Sequence, residues 1–393
     1  MVSTAVILIA QESFDISITN LCNSGNFLDN LRCQPPSGLS KVSPMPSVNS
    51  SYLPQTLRIA FTYDSKSEWL ALGYSAEQCA EFDSDETIEG IATSLRKLGT
   101  VEMIGSLKSL TKILANSTPN WDIVFNICEG LGSLGREAQV PALLEGWGIP
   151  FTFSDSATLA LCLDKAKTKV SGNNCTLKFI NISIQMVLEH YGVPVAPFAC
   201  IPPKILWAEN FDPLSVIQNS AHREALNEFP LFLKPAAEGT GMGISQANKV
   251  ANQSQLLKVL DEISKRYPTQ TILIEHFLAG REFTIAIVGT GADAAVIGVR
   301  ELVFLNEFPV DPTTVHTAHD PDLLKTEVFG YDLKQARCPN PQFIDMDLSS
   351  EPVAREVAKV ALKAWNLLGC RDGGRIDIRH DGNGVPNFIE VAT

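Results

Sequence analysis

The chain has 393 residues, 45% of them hydrophobic, enough for two or three domains with proper cores. Its 31 basic and 44 acidic residues give a formal charge of −13, which argues against nucleic acid or an anionic membrane as the main partner. No apolar run is long enough to span a bilayer, and the nine dispersed cysteines contain no C-x-x-C pair, so disulfide and zinc frameworks are set aside for a reduced, cytoplasmic chain.

Residues 1–56 differ in composition from the rest. The apolar stretch Ala5–Ala10 has no basic residue before it and makes a poor signal peptide. Asn, Ser and Pro dominate through Pro54, so the segment reads as a disordered tail or a wrongly assigned start.

Order is expected from Leu57. Leu57–Tyr63 reads as a strand, and Glu86–Leu98 places Ile88, Ile91, Ala92, Leu95 and Leu98 on one helical face, with Gly99 as the stop. A strand at Val101–Ile104, a helix at Leu107–Leu114 and a third strand at Trp121–Ile127 follow. A helix at Ala138–Trp147, ended by Gly148, leads to a further strand at Ile149–Thr152. The alternation predicts an α/β fold, a parallel sheet with helices outside. Cys128-Glu129-Gly130-Leu131-Gly132 then lies at the carboxyl edge, where such sheets bind ligands, although the glycines equally suit a tight turn.

Two later stretches carry chemistry. Leu231–Lys234 reads as a buried strand stopping at Pro235, followed by the glycine-rich Glu238–Gly243. Glycines let backbone N–H groups converge on a phosphate, and a strand lysine adds a fixed positive charge. The competing reading is a hairpin with a flexible turn and a snorkelling lysine. Near the end, Asp377 and Glu390 sit on short segments joined by the turn Asp381–Gly384. A hairpin there sets both carboxylates close enough to share a hard cation, and Arg375 falls on the same strand face as Asp377. Solvent-facing strand acids are the alternative.

From about Leu57 onward the chain resembles the D-alanine–D-alanine ligases of the ATP-grasp superfamily. The resemblance runs through Phe125–Gln139, Leu144-Glu145, Gly148–Thr152, Leu163–Lys169, the Lys234 loop, Thr271–Glu275, Gly280–Thr284, Arg375-Ile376-Asp377 and Phe388–Val391. It implies a Rossmann-like preliminary domain at 57–152, a central ATP lobe at 153–275 and a catalytic lobe at 276–393, truncated at its carboxyl end. Lys165 and Lys234 would hold the α- and β-phosphates of ATP, with Glu238, Gly239, Thr240 and Gly241 forming the loop around them. Glu275 and the backbone of His276, Phe277 and Leu278 would face adenine, and Glu282 would accept from the ribose. Asp377 and Glu390 would bind Mg2+, with Mn2+ as a substitute. Arg375 would stabilise an oxyanion, Lys334 would reach the γ-phosphate, and Glu81 or Glu77 would hold an ammonium group.

The implied reaction is ATP-dependent joining of an amino-acid-like carboxylate to an amine through an acyl phosphate. Its partners are small molecules, with no nucleic acid or membrane, and the resemblance allows a homodimer. Replacing Lys234 by Ala is expected to cost nucleotide binding far more than folding.

Several positions depart from the family pattern. Ala392 stands where the family has an asparagine metal ligand, Glu129 stands where it has histidine, and the family continues beyond the Thr393 position. These support an alternative: a non-catalytic, vestigial nucleotide-binding protein. Residues 170–185 interrupt what otherwise reads as one amphipathic helix ending at Gly192, and are expected to be an insertion or a retained intron.

Overall fold

The computed structural model describes residues 56–163, 184–239, 241–303, 328 and 342–393. All but the last residue of the tail read at 1–56, most of the 170–185 insertion, and Lys165, Thr240 and Lys334 lie outside the described residues.

Three sheets organise the described chain. The first is parallel, ordered β2-β1-β3, from β1 (Leu57–Tyr63), β2 (Gly99–Gly105) and β3 (Ile123–Ile127). Helices α1 (Lys66–Ala71), α2 (Asp85–Arg96), α3 (Leu107–Asn116) and α4 (Gln139–Trp147) connect and cover it. Alternation along β1 feeds two cores. Ile59 and Phe61 pack with Ile88, Ile91 and Leu95 of α2, while Ala60 joins Leu110, Leu114 and Leu144 on the opposite face.

Two expectations change here. Gly99 is the first residue of β2 and not a helix stop: a Cβ there would collide with the Leu57 carbonyl, so the close start of the β1–β2 pair requires glycine. The segment at Ile149–Thr152 forms only an isolated bridge, Val124 to Phe151, because the chain turns away after Thr152 donates to the Val124 carbonyl at 2.9 Å.

Helices α5 (Ser156–Leu163) and α6 (Ile184–His190) lead to the second sheet. The expected interruption ran through Gln185, yet Ile184 and Gln185 already belong to α6. Gln185 is fully buried with neither amide atom hydrogen-bonded, an unfavourable place for a primary amide.

The second sheet is antiparallel, ordered β4-β7-β5-β6, from β4 (Phe198–Ile201), β5 (Leu231–Pro235), β6 (Lys249–Val250) and β7 (Ile272–His276). The short α7 (Pro213–Gln218) and α8 (Arg223–Leu226) precede β5. Helix α9 (Gln253–Arg266), capped by Asn252 accepting from the Gln255 N–H at 3.0 Å, lays Leu256, Leu260 and Ile263 on Leu231, Leu233 and Ile274.

The third sheet, β10-β9-β8-β11-β12, is antiparallel and holds the chemistry. It comprises β8 (Glu282–Val288), β9 (Ala295–Val303), β10 (Gln342–Met346), β11 (Gly373–His380) and β12 (Pro386–Ala392). Helix α10 (Pro352–Leu368) covers one face through Ala354, Val357, Ala361, Ala364, Trp365 and Leu368, a spacing that keeps small residues against the sheet. Ile376 and Ile378 are fully buried beneath it, each contributing about 1.5–3 kcal/mol. Period-two alternation therefore sends Arg375, Asp377 and Arg379 to the other face. The expected turn forms as read: Asp381 Oδ1 accepts from the N–H groups of Asn383 and Val385, both at 2.8 Å, and Gly384 takes φ +83°.

Candidate functional site

The second and third sheets face each other across a cleft with about 1020 Å³ of space, part of it open to solvent. Strand β5 and its loop contribute Lys234 and Gly241, β7 and its exit Glu275 to Leu278, and β8 Glu282 and Thr284. From the hairpin come Arg375, Asp377, Arg379 and Glu390. Residues far apart in sequence that were read as nucleotide and metal ligands thus share one cavity.

Lys234 is 5% exposed, and its Nζ lies 2.7 Å from Glu275 Oε2. The pair runs diagonally across β5 and β7, since Lys234 stands opposite Leu273 and Phe232 opposite Glu275. Glu275 is buried as well, so each charge depends on the other in a poorly solvated wall. The expectation that Lys234 serves binding with little part in folding is therefore revised: truncating it strands a buried carboxylate.

The loop after β5 is shaped by glycine. Gly241 and Gly243 have φ +75° and +72°, and a Cβ on Gly243 would sit 2.9 Å from the Pro235 ring and 3.0 Å from Tyr267. Asn248 fastens the far end, its amide donating to the carbonyls of Leu233 at 2.7 Å and Gly243 at 2.8 Å. At the end of β7, the His276 N–H donates to the Pro197 carbonyl at 2.8 Å and the Phe277 N–H to that of Pro230 at 3.1 Å. Two of the three hinge donors are thus committed within the protein.

On the opposite wall, Glu282 pairs directly with Arg379 across β8 and β11, the Arg379 Nη1 donating to Oε2 at 2.9 Å. The Arg379 guanidinium lies 4.9 Å from the Phe277 ring centre, and Lys249 Nζ lies 4.2 Å from the same ring. Asp377 stands opposite Thr284 on one side and Glu390 on the other. Thr284 Oγ1 donates to Asp377 Oδ1 at 2.6 Å, and Arg375 Nη2 lies 3.6 Å from Oδ2. Asp377 foremost, then Glu390 and Glu282, raise the Arg375 pKa against the opposing effect of burial. Among the described residues, Arg375 Nε is buried with no hydrogen-bond partner.

The carboxylates suit a hard cation with phosphate oxygens and water completing its shell. Among the described residues no group of three His, Cys, Asp or Glu is arranged for a metal, and Ala392, opposite Arg375, supplies no oxygen from its side chain.

Glu81 and Glu238 do not join this cleft. They line a second one beside it, between the first sheet and the β5 loop. Glu81 Oε2 accepts from Arg136 Nη2 at 2.7 Å, Glu77 is ion-paired with Arg266, and Glu238 accepts from Gln270. Gly239 lies against Glu81. Nearby, Asp64 accepts from Trp69 Nε1 at 3.0 Å and from the Gly130 N–H at 2.9 Å. Burial pushes Asp83 up to about 6, helped by Asp64, and burial with Glu137 and Glu81 raises Glu129 well above the carboxylate range. Sequence reasoning missed Arg136, Thr284 and Arg379. Arg379 could have been found by extending the same-face alternation of Arg375 and Asp377 by two residues.

Comparison with known proteins identifies the family and the fold. The sequence model described as D-ala D-ala ligase C-terminus matches residues 187–393, just over half of the chain. The D-alanine–D-alanine ligase of Mannheimia succiniciproducens is 26% identical over 269 residues, covering 68% of this chain and 69% of that one. The enzyme of the same name from Bordetella avium is 27% identical over 262 residues, covering 67% and 65%. Among solved structures, the Bacillus anthracis D-alanine–D-alanine ligase complexed with ATP superposes with TM-score 0.51 at 17% identity, over 86% of each chain. The VanG D-Ala:D-Ser ligase from Enterococcus faecalis gives 0.53 at 18% identity, over 86% of this chain and 90% of that one. The architecture is that of an ATP-grasp protein. Within that class, the chain belongs to the D-Ala–D-Ala ligase family through its C-terminal half.

Proposed function

We propose that the protein is an ATP-dependent ligase that joins an amino-acid-like carboxylate to an amine through an acyl phosphate, with ATP in the cleft between the second and third sheets. The observation that carries this reading is the convergence of Lys234, Glu282, Arg375, Asp377 and Glu390 on one cavity. The proposed division is a preliminary domain over 57–152, a central lobe over 153–275 and a catalytic lobe over 276–393, with Cys162 of α5 and Ile184 and Leu188 of α6 packed into the core of the third sheet.

Lys234 and the glycine loop bind the phosphates; a phosphate oxygen replaces Glu275 as one partner of the ammonium group. The hinge carbonyls and the Leu278 N–H remain for adenine, while Glu282, held in place by Arg379, accepts from the ribose. Asp377 and Glu390 are the residues that would hold Mg2+, which when bound would screen phosphate charge. Arg375 lines the cleft at the reacting end, where its permanent positive charge suits it to an oxyanion. Lys165 and Lys334 are assigned phosphate contacts by resemblance alone. Glu81, already bound to Arg136, would meet an ammonium group only from the second cleft.

The test is ADP release from Mg·ATP with pairs of D-amino acids, with the product identified by mass spectrometry. Amino-acid-dependent ADP release with dipeptide formation is the expected result; tight ATP binding without turnover would favour the non-catalytic alternative, which Ala392 in place of a metal ligand supports.

A further inference from the structure

The loop after β5 is also the wall between the two clefts, with Lys234 and Gly241 facing one and Ala237 and Glu238 the other. Within that wall the Ala237 residue is held on both sides. Its N–H donates to Gln270 Oε1 at 3.2 Å, and its carbonyl accepts from Arg136 Nη1 at 3.1 Å, across 101 positions of sequence. The same guanidinium donates to Glu81 Oε2 through Nη2 at 2.7 Å and Nε at 3.2 Å. Arg136 is 8% exposed and ties together three segments: the approach to α2, the β3–α4 connection and the β5 loop. Glu81 Oε1 in turn lies where a Cβ on Gly239 would fall, so the loop packs this closely only as glycine.

We propose that Arg136 is a positioning residue for nucleotide binding. It fixes the Ala237 carbonyl, and through it the orientation of the peptides leading into the glycine turn, and it makes that orientation depend on Glu81 in the neighbouring cleft. The proposal rests on the nucleotide reading of the first cleft. Guanidinium chemistry is what the site demands: its planar fork serves a carboxylate and a carbonyl at once, whereas a lysine ammonium on a flexible stem does not reproduce that fixed geometry. The β5 loop spans from Pro235 to the Asn248 anchor, and its Pro235 end is continuous with Lys234. A shift at Ala237 therefore moves the phosphate-facing donors relative to the lysine that works with them.

The test compares wild type, Arg136→Lys and the double variant Arg136→Gln/Glu81→Gln, in which the Glu81 carboxylate is not left unpaired by the lost arginine; Glu137, 3.7 Å from the guanidinium and partly exposed, keeps access to solvent. Calorimetry with Mg·ATP and hydrogen exchange of the Ala237, Glu238 and Gly239 amides are read together. The expected result is a dissociation constant raised about tenfold or more in the double variant, the scale of one lost charge-assisted hydrogen bond, with faster exchange confined to the loop and Arg136→Lys in between. An unchanged dissociation constant in the double variant overturns the proposal, as does weakened binding accompanied by faster exchange throughout the first sheet, which marks a purely structural brace. A wild-type protein that binds no Mg·ATP removes the nucleotide reading and this proposal together, and the wild-type titration alone identifies that case.

Discussion

Asp377 and Glu390 stand directly opposite each other on β11 and β12, and Thr284 on β8 completes the row by donating to Asp377 at 2.6 Å. Like charges facing across a ladder are unfavourable unless something positive sits between or beside them. Arg375 supplies part of that charge, and a divalent cation would supply the rest. Asp377→Asn with Glu390→Gln is therefore expected to abolish the Mg2+ dependence of ATP affinity, with some loss of stability because Arg375 keeps only Glu282 of the carboxylates that support its charge. Titrations with and without Mg2+, beside a urea melt, check it. Retained Mg2+ dependence in the double variant would place the metal elsewhere.

The Lys234–Glu275 pair makes a separate prediction. Removing one member of a buried ion pair costs about 3–5 kcal/mol, so Lys234→Ala should lower the urea midpoint markedly. Adding Glu275→Gln should restore most of the lost stability without restoring ATP affinity. Equal stability of Lys234→Ala and wild type would mean that Glu275 is better solvated than its 8% exposure indicates.

The first sheet should report on pH. Burial, with Asp64 adding to it, raises Asp83 from its ordinary 3.8 to about 6. Between those values the folded chain holds a proton that the unfolded chain has released, so stability falls as pH rises through the interval. Asp64, also raised by burial, acts in the same direction. Thermal melts should show a lower transition at pH 7 than at pH 4.5 for this contribution, and Asp83→Asn should flatten the slope. An identical slope in the variant removes Asp83 from the account.

Gly243 tests the loop. Its φ of +72° and the 2.9 Å approach of the Pro235 ring leave no room for a methyl group. Gly243→Ala should cost roughly 1–3 kcal/mol through backbone strain and crowding, and should weaken nucleotide binding by displacing the loop. Gly146→Ala, inside α4 and with open space around its Cβ position, is the control and should not destabilise.

Much of this architecture was legible because local signals agreed with one another. The same-face spacing of Arg375 and Asp377 and the Asp381–Gly384 turn are short-range features, and together they give the hairpin; the apolar stripe of α10 is just as local but went unread. What was not legible depends on partners distant in sequence. Nothing near Lys234 announces Glu275, because the pair forms only once β7 inserts between β4 and β5. Arg136 lies in a glycine-rich connection whose role is set by a carbonyl 101 residues away. Gly99 was misread for the same reason: its constraint is the Leu57 carbonyl on the neighbouring strand and not the helix before it.

The central claim is that the cleft between the second and third sheets holds the nucleotide, and calorimetric titration of Mg·ATP tests it most directly. Wild type should bind one equivalent, and Lys234→Ala/Glu275→Gln, checked for folding by circular dichroism, should bind at least about tenfold more weakly. Equal affinity in a folded double variant, or no binding by wild type, would contradict the assignment of this cleft.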